Sequence, residues 1–331
     1  MAPLTLDPVY ASFLEMKKRF QKHNKNNTTE DQDIYSKVKH IREMSEKAYI
    51  GRQLAEIIEQ EKTVVYNGIE LHLTIFRPVG SENEVLPAVI FFHGGGFIMG
   101  SKNMYGKNIR DISTQNHVAV VYIELTLAPE AKYPLMHNEG FSTLAWVFEN
   151  GQSINIDVNK LAVIGDSAGG LIVTAVSLMA KERGLGEAIK ALVLIYPATG
   201  AALTRQGYES CQLFGTEEYG LSAEDSAMLE TLYLGVENME NDKHANLFLN
   251  TSDDLKGLPP TLLLTAEADM LRDEGEAFAR KLIDAGNSTC AIRILGTIHA
   301  FLCFPLPETP PYRQTMALIK QQLNQAFNDQ K

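Results

Sequence analysis

The sequence predicts an α/β protein: a mostly parallel sheet covered by helices, with a helical cap over one edge. Three observations carry this. Apolar runs rich in β-branched residues recur from LPAVIFF at 86–92 onward, each about a helix-length beyond the last. They are continuous rather than alternating, which suits strands buried on both faces. The 331 residues, 45% hydrophobic and 21% charged, suffice for one large core carrying an insertion.

Taken in order, residues 1–60 read as helix without a strand. Val9, Phe13, Leu14 and Phe20 recur near helical spacing, and Thr29 with Gln32 is spaced as a capping box for a following helix. Lys and Glu dominate the remaining positions, so this segment needs another body to pack on and is read as part of the cap. TVVYNG and IELHLTIFRP form a hairpin turning at Asn67-Gly68. LPAVIFF ending at His93, VAVVYIEL ending near Glu124, and KLAVIG ending at Gly165 follow, then ALVLIYP, TLLLTA and CAIRIL, which makes eight strands. Residues 201–250 break the rhythm with helix and loop where an insertion would cover the carboxyl edge of the sheet. The expected partition is a cap from 1–60 and 201–250, and an α/β domain from 61–200 and 251–331.

Composition narrows the partners. A net charge of -11 argues against nucleic acid and anionic lipid, both of which need a basic footprint. No apolar run approaches a membrane span; LIVTAVSLMA at 171–180 reads as a buried helix. The opening MAPLTLDPVYASFLEMKKRF lacks a basic head and apolar core, and Lys17, Lys18 and Arg19 interrupt it, so no signal peptide is expected. Cys211, Cys290 and Cys303 are odd in number and lack ligand-like spacing. A disulfide scaffold or metal site is therefore not expected, and a reducing cytoplasm is.

The chemistry concentrates at strand ends. Gly165-Asp166-Ser167-Ala168-Gly169 is a G-x-S-x-G between a strand and an apolar helix. Its glycines permit a turn sharp enough to expose the serine Oγ above the sheet, at a helix N-terminus that favours developing negative charge. His93-Gly94-Gly95-Gly96-Phe97 closes an earlier strand. The N–H groups of Gly94, Gly95 and Gly96, with that of Ala168, are expected to surround an oxyanion, each such donor typically worth roughly 3–4 kcal/mol of barrier. His93 is read as orienting this loop. Asp269 follows the TLLLTA strand and His299 the CAIRIL strand, so Ser167, Asp269 and His299 all fall at the carboxyl edge of one sheet, where open α/β folds bind ligands. Rivals for the acid are Glu267, Asp273, Glu274, Asp253 and Asp254; Asp273 and Glu274 suit the start of the next helix.

With HGGGF at 93–97, LAPE at 127–130, GDSAGG at 165–170, DMLRDEGEAFA at 269–279 and IHAF at 298–301, the chain resembles the hormone-sensitive-lipase-like esterases of the α/β hydrolases, from about residue 60 to 305. The resemblance implies an α/β-hydrolase fold with a helical cap. It also implies Ser167 as nucleophile, His299 as base and Asp269 as the acid that orients it. Glu130, Trp146 and Arg272 match family positions and are read as structural supports. Two departures from the family pattern stand out: Glu124-Leu125-Thr126 stands where Asp-Tyr-Arg is common, and Ala300 stands where glycine usually follows the histidine.

The expected reaction is hydrolysis of a small, short- to medium-chain ester through an acyl-enzyme, needing no cofactor and no metal. Lactone or amide hydrolysis would use the same residues. A lipase would favour an apolar lid, whereas residues 201–240 carry Glu209, Glu217, Glu218, Glu224 and Asp225. A ligand-binding receptor on this fold would have lost part of the triad. The exposed edge strands of such a sheet offer two copies a route to a homodimer.

Overall fold

Two helices precede the first strand, α1 (Pro8–Asn24) and α2 (Ile34–Ala48). Asp33 begins α2 by accepting the Ser36 N–H at 3.1 Å, which satisfies one of the donors a helix start leaves open. The structure is a computed structural model and describes residues 4–24 and 33–328. The Thr29–Gln32 pair and the side chain of Phe20 lie outside what it describes.

Strands β1 (Ile58–Tyr66) and β2 (Ile69–Arg77) form an antiparallel hairpin. Asn67 and Gly68 both have positive φ, 50° and 79°, as a two-residue turn matched to strand twist requires. β1 begins at Ile58, before the boundary expected at 61. Glu59, Gln60 and Glu61 are exposed there, so no apolar alternation marks the strand in the sequence.

The remaining framework alternates strand and helix. β3 (Leu86–Phe92), α3 (Gly106–Asn116), β4 (Ala119–Ile123), α4 (Leu135–Asn150), β5 (Ile156–Asp166), α5 (Ala168–Glu182) and β6 (Ile189–Ile195) come first. An insertion then carries the short helices α6 (Ala202–Arg205), α7 (Glu209–Phe214), α8 (Ala223–Tyr233) and α9 (Val236–Asn241). After α10 (Ser252–Leu255), the chain closes with β7 (Thr261–Ala268), α11 (Arg272–Asp284), β8 (Thr289–Ile298) and α12 (Pro310–Asn328).

The eight strands run in the order β1-β2-β4-β3-β5-β6-β7-β8. β2 is antiparallel to both neighbours, and the six strands from β4 to β8 are parallel. Successive residues of a central strand feed opposite faces: Leu161 and Val163 of β5 join α4, α5 and α11 in one core, while Ala162 and Ile164 join α3 and α12 in the other. α5 is buried along Ala168–Ala180, which is why its sequence is apolar all round. α12 is buried on one stripe only, through Tyr312, Met316, Ile319 and Leu323. Among the described residues no helix is long and apolar enough to cross a membrane.

Candidate active site

Ser167 sits between β5 and α5 at φ 51° and ψ -121°, a conformation that L-residues rarely adopt. The neighbouring glycines make the turn possible. A Cβ on Gly165 would lie 2.3 Å from the Gly169 carbonyl oxygen, and one on Gly169 would lie 2.2 Å from the Phe92 carbonyl oxygen at the end of β3. The turn is anchored from β6, whose Ile195 carbonyl accepts the Ser167 N–H at 2.9 Å.

Ser167 Oγ lies 2.9 Å from His299 Nε2, and His299 Nδ1 lies 2.7 Å from Asp269 Oδ2. The three side chains therefore form one continuous line drawn from three strand ends. Asp269 is 1% exposed and its second oxygen accepts the Leu271 N–H at 2.9 Å, which fixes the carboxylate against rotation. The rival acids are engaged elsewhere. Glu267 accepts the Gly296 N–H, Asp273 binds Arg272 and the Ser210 N–H, and Glu274 holds Arg205. Asp254 caps α10 through Thr251, and Asp253 is exposed. The ring of Tyr196 meets the His299 ring edge-on at 5.1 Å.

The glycine loop after β3 needs one correction. The Gly94 N–H is not free to meet an oxyanion, because it donates to Asp166 Oδ1 at 2.7 Å. The N–H groups of Gly95, Gly96 and Ala168 have no such acceptor among the described residues, and these three residues line the same cavity as Ser167 and His299. Asp166 is the residue the sequence reading missed. It reaches across to the loop while its other oxygen accepts the Tyr105 hydroxyl at 3.1 Å, and burial pushes its carboxyl up to about 6. Its place inside GDSAGG was visible; its target was not, since the bond joins residues 72 apart in the chain. His93 behaves as an orienting residue: its ring stacks on Tyr122 and its Nδ1 lies 2.8 Å from the Gly94 carbonyl oxygen. Burial lowers His93 to about 4, which keeps it neutral near pH 7.

A family model described as the alpha/beta hydrolase fold matches residues 89–303. The chain belongs to that family. An esterase from the fungus Rhizomucor miehei superposes on this α/β hydrolase with a TM-score of 0.91, at 43% identity and over 100% of both chains. Among curated relatives, a putative alpha/beta hydrolase of Acanthamoeba polyphaga mimivirus is 34% identical, the match covering 78% of this chain and 73% of the relative. An arylesterase of Saccharolobus solfataricus is 33% identical, covering 71% and 74% respectively.

In this hydrolase the site opens into a cavity of about 340 Å³. Its walls come from α1 (Phe13), from the end of α2 and the residue that caps it (Ala48, Tyr49), and from the insertion (Leu221, Leu229, Glu230). Leu229 of α8 lies directly over the glycine loop, since a Cβ on Gly96 would come within 2.6 Å of it. A buried ionic cluster fixes α8. Arg205, 1% exposed, donates to Glu274 of α11 at 2.7 Å and to Glu230 of α8 at 2.6 Å, with a further bond to Ser226 at 2.9 Å. Arg42 of α2 ties the other wall to the floor by donating to the Ile98 and Ala128 carbonyls, both at 2.6 Å, while binding Glu130.

Proposed function

We propose that this carboxylesterase-type hydrolase cleaves small esters of short- to medium-chain acids through an acyl-enzyme on Ser167. The observation that carries the reading is the line from Ser167 through His299 to Asp269, opening into a small and mostly apolar cavity. His299 Nε2 takes the Ser167 proton as Oγ attacks the ester carbonyl. Asp269 holds Nδ1–H, which selects the tautomer and stabilises the imidazolium that forms. The developing oxyanion turns to the Gly95, Gly96 and Ala168 N–H groups, donors worth about 3–4 kcal/mol each. His299 returns its proton to the departing alcohol, then activates the water that releases the acid.

A cap formed by α1, α2 and the insertion is part of this proposal, and the cavity of about 340 Å³ beneath them supports a small substrate. Pockets for drug-sized ligands run from about 300 to 1,000 Å³. The exposed side chains of Glu209, Glu217, Glu218, Glu224 and Asp225 give the insertion an acidic surface, which supports small dispersed esters over lipid interfaces. The esterase relatives support esters over lactones and amides. Cytoplasmic residence is supported by three unpaired thiols, Cys211, Cys290 and Cys303. A homodimer through the β8 edge is supported by Leu295, which is 66% exposed there.

The test is hydrolysis of p-nitrophenyl esters from acetate to palmitate. The wild-type chain should be fastest on the short acyl groups, and Ser167→Ala should be inactive. Asp269→Asn should fall by on the order of 10³- to 10⁴-fold in kcat, because the imidazole loses its tautomer control. Wild-type protein that turns over none of the series would remove the reading.

A further inference from the structure

α1 crosses the cavity as a strut held at both ends. Just before the helix, the Asp7 N–H donates to the Gly296 carbonyl of β8 at 2.9 Å. Tyr10, 1% exposed, shares a 2.6 Å hydrogen bond with Thr309 and sets its ring edge-on to Phe301 at 6.1 Å. Farther along, Lys17 Nζ donates to the Gly220 carbonyl at 2.7 Å and Lys18 pairs with Glu218 at 3.1 Å, both in the insertion. Tyr10, Phe13 and Lys17 follow one another at three- and four-residue steps, so they share a helix face. Phe13 and Lys17 of that face line the cavity. Midway between the anchors the Phe13 ring meets that of Phe304, centroids 4.4 Å apart and planes at 37°. Phe304 also lines the cavity and belongs to the loop that carries His299.

We propose that the Phe13–Phe304 pair is the stop that limits how long an apolar arm the ester can carry, an inference that rests on the Ser167 reading above. An arm that reaches the pair has to separate two packed rings. Neither ring yields easily, because α1 is tied to β8 and to the insertion, and the Phe304 N–H bonds back to the Ala300 carbonyl at 3.4 Å. One turn beyond Phe13, the same wall presents the Lys17 ammonium, which offers an alkyl chain no apolar continuation.

The experiment compares p-nitrophenyl butyrate with p-nitrophenyl octanoate, and ethyl acetate with hexyl acetate, on full-length wild type, Phe13→Ala, Phe13→Leu, Phe13→Trp and Phe304→Ala. In at least one of the two series the long-to-short ratio of kcat/KM should rise tenfold or more in Phe13→Ala and Phe304→Ala, chiefly through a lower KM for the longer ester. Phe13→Leu should give a smaller rise in the same direction, which keeps the test open if the alanine variants fold poorly. Phe13→Trp should lower the ratio. Wild-type turnover of the short esters, combined with ratios that stay within twofold across folded variants, overturns the stop alone. No wild-type turnover of any ester overturns the Ser167 reading and the stop with it.

Discussion

Ala300 holds a φ of 60° immediately after His299, in a region where a Cβ crowds the backbone. The sequence already marks the position, as one where the chain departs from the motif pattern it otherwise resembles. Ala300→Gly should raise stability by up to about 1 kcal/mol, as relief of a strain of about 1–2 kcal/mol is partly offset by the greater freedom of the unfolded glycine. A small rise in urea midpoint would show it; an unchanged or lower midpoint would mean the alanine is unstrained. At this scale the sequence is legible where a residue follows directly on a strand, as Ser167, Asp269 and His299 do. It is silent where the answer is a direction in space. That the Gly94 N–H is taken up by Asp166 depends on a carboxylate from another strand, and no spacing encodes it.

The glycine loop and the Ser167 turn are joined through one carboxylate, so its titration belongs to both elements. Burial raises Asp166 from 3.8 to about 6 against the lowering pull of the Gly94 N–H, the Tyr105 hydroxyl and His299. Between those values the folded protein keeps a proton that the unfolded chain releases. Stability should therefore fall as pH rises from about 4 to about 6, then level off with respect to this group. Asp166→Asn lacks that titration, so the stability of wild type relative to the variant should be greater at pH 4 than at pH 7. Urea unfolding of both proteins at the two pH values checks this, and an equal difference at both would refute it. The strands themselves were readable because β3 and β4, and the stretches 161–164 of β5, 191–195 of β6 and 262–264 of β7, are buried on both faces and so run apolar. The start of β1 was not, because an edge strand with charged residues looks like loop or helix.

Across the whole molecule, Arg205 is the cation on which the insertion and the α/β body converge. Arg205→Met would strand Glu230 and Glu274 in a dry site and should cost on the order of 3–5 kcal/mol, whereas Arg205→Lys should cost less by retaining the charge. Denaturant unfolding of the two variants decides it; equal losses would mean that geometry outweighs charge. The strandless stretch between β6 and β7 was recognisable in the sequence as a break in the strand rhythm. Its attachment was not, because an arginine in a short polar helix carries no sign that its partners lie 25 and 69 residues away. The two-ended mooring of α1 carries a further consequence, for the order in which the protein is made. α1 leaves the ribosome long before Gly296, Phe301 and Thr309, which hold its first turn, Thr309 lying 299 residues beyond Tyr10. A nascent chain can assemble much of its sheet while this wall still hangs open. The cavity is thus walled in only once Thr309 has emerged, and a chain interrupted before that point lacks the moorings that would shut it.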